Sequence, residues 1–288
     1  MTSDADKAPT ILLTDDIYNE AEWGYGIRSP EKAFKWFKLL LLNDSDVPEE
    51  LKASEQLVDA QKTLSRTGQD AVYVVACYLR HLWRHALRCI KREKGVKHVD
   101  ACRFRIILTV PAIWPPYATN RMRKAAEIAG MLDQRSSGET VLDFISEPEA
   151  AAVATIGDMD KRNDIKKGDT IVICDAGGGT DLISYVVTRY NPFVFDEHVR
   201  GEGGLCGAIF LDENFESLIK DKVGASAWNK SDAFQKQKTM NNEWENCIKR
   251  QFDGLDQGRP WLVTLPENCT VRRCGTSKKR TRDMEITS

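Results

Sequence analysis

The stretch that decides the fold is Gly168-Asp169-Thr170-Ile171-Val172-Ile173-Cys174-Asp175-Ala176-Gly177-Gly178-Gly179-Thr180-Asp181-Leu182-Ile183-Ser184-Tyr185-Val186-Val187. β-favouring residues run from Ile171 to Cys174 and again from Leu182 to Val187, with glycines between them. That pattern predicts a two-stranded hairpin. Consecutive glycines let backbone N–H groups point into one concavity, which suits phosphate oxygens. A carboxylate at the end of the first strand, Asp175, can hold a hydrated Mg²⁺ beside them. A Walker A loop needs Gly-Lys-Ser/Thr opening a helix, and no such Lys follows Gly179. A Rossmann loop also feeds a helix, whereas Leu182–Val187 is strand-like. Taken alone, the stretch also fits a glycine-rich turn with no ligand. The flanking segments supply the further support.

Upstream, Arg103–Val110 is β-rich and ends at Pro111. Trp114-Pro115-Pro116 opens a helix with Ala118, Met122, Ala125 and Ala129 on one face and Gly130 near its end. Val141–Ile145 reads as another strand. Glu147-Pro148-Glu149 opens a third helix, with Pro148 suited to its first turn and Glu149 to its dipole. Strand–helix–strand–helix implies a parallel, right-handed crossover unit. Gly157–Asp169 reads as a charged linker and marks the boundary between two lobes.

Thr67–Glu93 is the clearest helix, with Val72, Val75, Leu79, Leu82, Ala86 and Ile90 on one face. Its other side carries Cys77, His81, His85 and Cys89 at four-residue steps. Successive members rise about 6 Å, so all four cannot meet one metal, and a solvated or lobe-contacting face is expected. Nearer the start, Pro9–Leu13 reads as a short strand and Trp23–Gly26 as a turn. Glu31–Leu42 has helix-forming composition, and Asp44–Glu50 is a polar break. Downstream of the hairpin, Phe193–Val199 reads as a third strand. Gly201-Glu202-Gly203-Gly204-Leu205-Cys206-Gly207 forms a second glycine loop feeding a helix around Phe210–Lys222. The six basic residues within Arg272–Arg282 read as solvated surface.

The balance of 41 Lys+Arg against 43 Asp+Glu exerts no global pull toward nucleic acid or an acidic membrane. The longest apolar run, Ala71–Leu79, is far too short for a membrane span. Met1–Lys7 is polar and acidic, unlike a secretory signal. Eight scattered cysteines without a CxxC pattern fit reduced thiols and a cytoplasmic setting.

Ile171–Asp181 resembles the second phosphate motif of the actin, hexokinase and heat shock protein 70 superfamily of ATPases. Leu108-Thr109-Val110-Pro111-Ala112-Ile113-Trp114, Ile145-Ser146-Glu147-Pro148-Glu149-Ala150-Ala151-Ala152 and Gly203-Gly204-Leu205-Cys206-Gly207 narrow the match. Together they resemble the divergent heat shock protein 70-like proteins abundant in filamentous fungi, which have a related animal branch. The resemblance runs from about Pro9 to Phe252. It implies an α/β fold of two ribonuclease H-like lobes with Mg²⁺ and ATP or ADP in the cleft. Residues 1–168 would be the remainder of lobe I, with a peripheral segment 1–66 and a core 67–168. Residues 169–288 would be lobe II, carrying the nucleotide-binding hairpin and a partial peripheral subdomain. By position, Asp175 would hold Mg²⁺ through water, and Glu147 would stand near the attacking water and the metal. Gly177, Gly178, Gly179 and Thr180 would bind the β- and γ-phosphates. Gly203 and Gly204 would lie near phosphates and ribose, and Glu245, Lys249 and Arg250 would cover adenosine. Pro111 would relay nucleotide state between lobes.

The departures from the family shape the functional expectation. No Asp-x-Gly-Thr-Thr, the family's first phosphate motif, occurs in the chain, and no Gly-Gly follows Gly204. The chain therefore reads as truncated at both ends. Thr180 is followed directly by Asp181, one residue sooner than in relatives, which reverses the strand's faces unless a bulge or turn absorbs the loss. No peptide-binding β-domain follows. The expected function is ATP binding with little or no hydrolysis. The competing readings are a degenerate actin-fold interaction protein or gene-model fragment and, less favoured, a sugar-kinase relative.

Overall fold

The structure, a computed structural model, describes residues 8–14, 21–27, 32–47, 49–52, 54–159, 165–177, 180–189, 193–204, 207–252, 260–272 and 280–287. The chain divides into two compact units, one of Met1–Asp175 with Asp181–Gly203, the other of Ala176–Thr180 with Gly204–Ser288.

In the first unit, β1 (Leu12–Leu13) pairs antiparallel with β2 (Glu22–Trp23). Helices α1 (Glu49–Lys52), α2 (Glu55–Thr67), α3 (Ala71–Lys94) and α4 (Val96–Ala101) follow. Then come β3 (Arg105–Val110), α5 (Pro116–Ile128), β4 (Val141–Ser146) and α6 (Glu147–Met159). Strands β3 and β4 pair in parallel from Arg105↔Val141 to Val110↔Ser146, with α5 as the connection. The face of α5 anticipated from its periodicity is the buried one: Ala118, Met122 and Ala125, with Ala129 just beyond the helix end. These residues share a core with Leu12, Phe34, Phe37, Leu41 and Val74–Leu79.

Four expectations are corrected here. The helix expected over Thr67–Glu93 is the single helix α3, which begins four residues later at Ala71, and Thr67 instead ends a separate helix, α2. Gly68 ends α2 in the left-handed region at φ 65°, and the Asp70 side chain starts α3 by accepting from the Val72 N–H. Cys77, assigned by spacing to a polar face, is buried, because α3 is enclosed on all sides from Val74 to Leu79. The Glu31–Leu42 region is not an α-helix. Phe34 exchanges backbone hydrogen bonds with Leu12, Trp36 sits at φ 57°, and only a 3₁₀ turn spans Leu39–Leu41. Burying Phe34, Phe37 and Leu41 overrides helix propensity there. The supposed polar break holds a 3₁₀ turn at Asp44–Asp46 and the start of α1.

Strands β5 (Thr170–Ala176), β6 (Thr180–Arg189) and β7 (Val194–Gly204) form one sheet in that order. With only three residues between them, neighbours β5 and β6 are a hairpin, as predicted. Gly168 N–H bonds the Val187 carbonyl while Val187 N–H bonds the Asp169 carbonyl. This is a G1 bulge, and it requires the positive φ that Gly168 adopts at 93°. Ala152 and Ile156 of α6 pack with Ile183 and Tyr185, and Ile171 and Ile173 flank them. Gly201–Gly204, read as a loop, are the end of β7. The charged linker begins later than expected, since α6 runs to Met159.

The second unit contains α7 (Ala208–Val223), α8 (Ala225–Asn229), α9 (Ala233–Lys238), a π-helical segment over Thr239–Ile248 and α10 (Lys249–Gln251). It continues through β8 (Pro260–Thr264), β9 (Val271–Arg272), β10 (Arg280–Thr281) and β11 (Asp283–Thr287). Antiparallel β8 and β11 place Trp261 opposite Ile286. The core joins Trp228, Ile219, Val263, Leu265 and Met284. Most of the basic run, residues 273–279, lies outside the described residues.

Candidate functional site

Strand periodicity builds the site in the first unit. On β6, Ile183, Tyr185 and Val187 are buried while their neighbours are more exposed, so Asp181 stands on the same, inward face. On β5 the half-buried positions are Ile171 and Ile173, which puts Asp175 on that face too. Continuing the Asp169–Val187 register in steps of two places Asp175 opposite Asp181. The shortened Thr180-Asp181 step thus leaves Asp181 in line with the core-facing row.

Glu147 enters at the start of α6, where Glu149 N–H donates to the Ser146 side chain as a local cap. Its carboxylate pairs with the Lys38 ammonium, which also lies 5.5 Å from the Trp114 ring centroid. The charges interact strongly enough to move a proton equilibrium. Burial raises the Asp181 carboxyl pKa, and the Glu147 and Asp175 carboxylates raise it further, with Lys38 acting against them. Asp181 thus lies within electrostatic reach of two further carboxylates, Glu147 and Asp175, and of the Lys38 ammonium that already pairs with Glu147.

Lys38 and Asp181 were not among the candidates drawn from sequence. Lys38 is 109 residues from its partner Glu147, beyond the reach of any local pattern. Asp181 carried a signal, since it sits two residues before the inward Ile183 and only Thr180 separates it from the glycines. Pro111 lies at the end of β3, where its carbonyl accepts from the Trp114 N–H. Of the loop residues, Gly177 is described and exposed, whereas Gly178 and Gly179 lie outside the described residues. Thr180 opens β6, and Gly203 and Gly204 close β7.

In the second unit, Lys249 Nζ lies 2.7 Å from both Asp212 Oδ1 and Glu245 Oε2. Burial pulls the Lys249 ammonium pKa down, but hydrogen bonds to Asp212 and Glu245 and their charges raise it above its usual value. Trp244 Nε1 donates to the same Asp212 oxygen at 2.6 Å, and its ring stacks on Phe215 at 4.4 Å. Arg250 is exposed. Lys249 and Glu245, read as ligand contacts, are thus already joined to each other through a network that includes Asp212, a residue the sequence did not single out.

The donor set of the first unit fits Mg²⁺, which takes hard oxygen ligands and keeps several of its waters. Among the described residues no three acidic, histidine or cysteine side chains are close enough to cage a bare ion. Among the described residues no helix is long and apolar enough to cross a membrane.

No protein-family model matches the chain. It is similar to human heat shock 70 kDa protein 12B, at 26% identity over 74% of this chain and 38% of that protein. It is also similar to human heat shock 70 kDa protein 12A, at 23% identity over 74% of this chain and 39% of that protein. The chain spans about two fifths of the length of these curated relatives. These similarities support a distant heat shock protein 70-like relationship, and the mixed helix and strand architecture is compatible with an actin-like ATPase fold.

Proposed function

We propose that this chain is a heat shock protein 70-like, Mg²⁺-dependent binder of ATP or ADP. The observation that carries the reading is Asp181, opposite Asp175 in the register of the glycine hairpin and within electrostatic reach of Glu147, which pairs with Lys38. Like charges held together in a folded protein cost stability, and a cation resolves that cost. Asp175 and Asp181 would hold the hydrated metal, and Gly177–Thr180 would present backbone donors to phosphate oxygens. Glu147, kept in place by Lys38, would orient a water, and Pro111 would couple the site to the lobe surface. Gly203 and Gly204 would approach phosphate and ribose. Glu245, Lys249 and Arg250 would border adenosine. When bound, Mg²⁺ supplies neutralisation of phosphate charge.

Turnover by these 288 residues is expected at background, because no Asp-x-Gly-Thr-Thr occurs among them to hold the γ-phosphoryl group from the opposite side. Each missing donor of that kind costs about a hundred- to thousandfold in rate. Phosphate release from Mg-ATP, compared among wild type, Asp175→Ala and Glu147→Ala, tests this. Turnover abolished by both substitutions contradicts the expectation.

Exposed strand residues favour a second reading, an interaction module without catalysis. Ile107, Val141, Val172 and Val199 are each at least half exposed on β3, β4, β5 and β7. Such strands associate readily. Sedimentation over a concentration series should show self-association, and a monomer at all micromolar concentrations contradicts it.

A further inference from the structure

A second charged region lies on α3, away from the acidic residues and with the opposite sign. From Arg80 to Lys94 the helix carries Arg80, Arg84, Arg88, Lys91, Arg92 and Lys94 against the single acid Glu93. Arg80, Arg84 and Arg88 repeat at four-residue steps, so they stand next to one another on one stripe. Like charges at that spacing destabilise a helix by a few tenths of a kcal/mol per pair. The stripe is only partly relieved from within the unit. Arg80 donates to the Ile128 carbonyl at 2.8 Å, and Lys91 pairs with Asp100 at 2.8 Å. Arg84 and Arg88 are exposed and have no hydrogen-bond or ion-pair partner among the described residues.

These two guanidinium groups border a groove of about 460 Å³, lined also by Trp23, His81, Leu87 and Lys91. Its volume falls in the range of small-ligand pockets, roughly 300–1,000 Å³. The indole of Trp23 is braced by two imidazoles, His81 at 6.3 Å in a stacked arrangement and His85 at 5.8 Å edge-on. Burial holds the His81 imidazole below its usual pKa, and Arg84 and Arg80 lower it further. The ring therefore stays neutral near pH 7 and adds no third charge. One wall is thus aromatic and aliphatic, and the rim carries two unmatched positive charges.

We propose that this groove binds a small organic phosphate, with its dianionic head on Arg84 and Arg88 and its apolar body on Trp23 and Leu87. Two free guanidinium charges match one dianion, whereas a single carboxylate leaves one of them unbalanced. Arginine forks match phosphate oxygens in geometry as well as charge. The apolar wall asks for a ligand that is more than inorganic phosphate. The site is independent of the proposed nucleotide site, since it shares no residue with it.

Calorimetric titration of the whole chain with phenyl phosphate, and separately with inorganic phosphate, tests the proposal. Saturable binding of phenyl phosphate is expected, weakened at least tenfold in Arg84→Ala/Arg88→Ala. Trp23→Leu should weaken phenyl phosphate severalfold and leave inorganic phosphate unchanged. Arg84→Lys/Arg88→Lys keeps both charges without the forks, so it reads the guanidinium role even where the alanine variant fails to fold. It should bind severalfold more weakly than wild type. Asp175→Ala should bind phenyl phosphate like wild type, which separates this site from the nucleotide reading. Absence of saturable binding, equal affinity in wild type and either arginine variant, or loss in Asp175→Ala overturns the proposal. Equal affinity for a glutamate-rich peptide overturns the choice of phosphate.

Discussion

Two ion clusters, one in each unit, use nearly the same residues to opposite effect. Around Lys249, two carboxylates share one largely buried ammonium, and an indole N–H satisfies Asp212 further. Around Lys38, which pairs with Glu147, burial raises the nearby Asp181 pKa and the Glu147 and Asp175 carboxylates add to the shift. The first cluster is complete as it stands and ties the π-helical segment to α7. The second, with Asp175 and Asp181 beyond the Lys38–Glu147 pair, is where the proposed cation would bind. Compensation, rather than the presence of charged residues, separates a structural network from a ligand site.

Removing Lys249 should have the largest effect on stability. Lys249→Met leaves Asp212 and Glu245 facing each other without their shared donor, and a charged hydrogen bond contributes about 1.5–3 kcal/mol. Because both acids remain partly exposed, a loss of about 1–2 kcal/mol is expected by denaturant titration. An unchanged midpoint would show that the network carries no stability. The pH dependence has a definite sign. A raised lysine pKa contributes stability that is present below the unfolded value of about 10.4 and lost as pH rises through the folded value. Wild type should therefore lose stability at strongly alkaline pH, and Lys249→Met should lack that component.

Asp181→Asn should act more weakly and in the opposite direction. Its folded pKa is raised, so the stability it contributes is present at acid pH and is lost as pH rises from about 4 through the folded value. Without ligand at pH 7, Asp181→Asn should match or slightly exceed wild type, by about 0.5 kcal/mol or less. The acid-side slope of its melting temperature should flatten. A clear destabilisation at pH 7 would mean that the carboxylates are not in conflict. Lys38→Met should steepen the same slope, because it removes a cation that opposes the shift.

The parts of the fold legible in the sequence are those whose periodicity is local. The β3–α5–β4–α6 order followed from alternation, from the prolines around Trp114 and from Pro148. The hairpin followed from two β-favouring runs around glycines. The Glu31–Leu42 segment was misread because its leucines and lysines favour helix locally, while Phe34 is held by a bridge to Leu12. Helix α2 was not read from the sequence, and the start of α3 was set four residues early, although Gly68 and Asp70 carry the stop and cap signals. Asp175 and Glu147 could be named because they sit in recognisable motifs. Lys38 could not, since only tertiary structure brings it to Glu147. The same holds for Trp23, which meets α3 across more than fifty residues of chain.

We propose that Asp175, Asp181 and Glu147 contribute to a metal-dependent nucleotide site. The most direct test is calorimetric titration of ADP into wild type and Asp175→Ala, each with Mg²⁺ and with chelator. The account predicts wild-type binding that requires Mg²⁺ and weakens at least tenfold in Asp175→Ala, while circular dichroism shows the variant folded. ADP affinity that is the same in both proteins, and indifferent to Mg²⁺, would contradict it and leave the hairpin as a glycine turn alone.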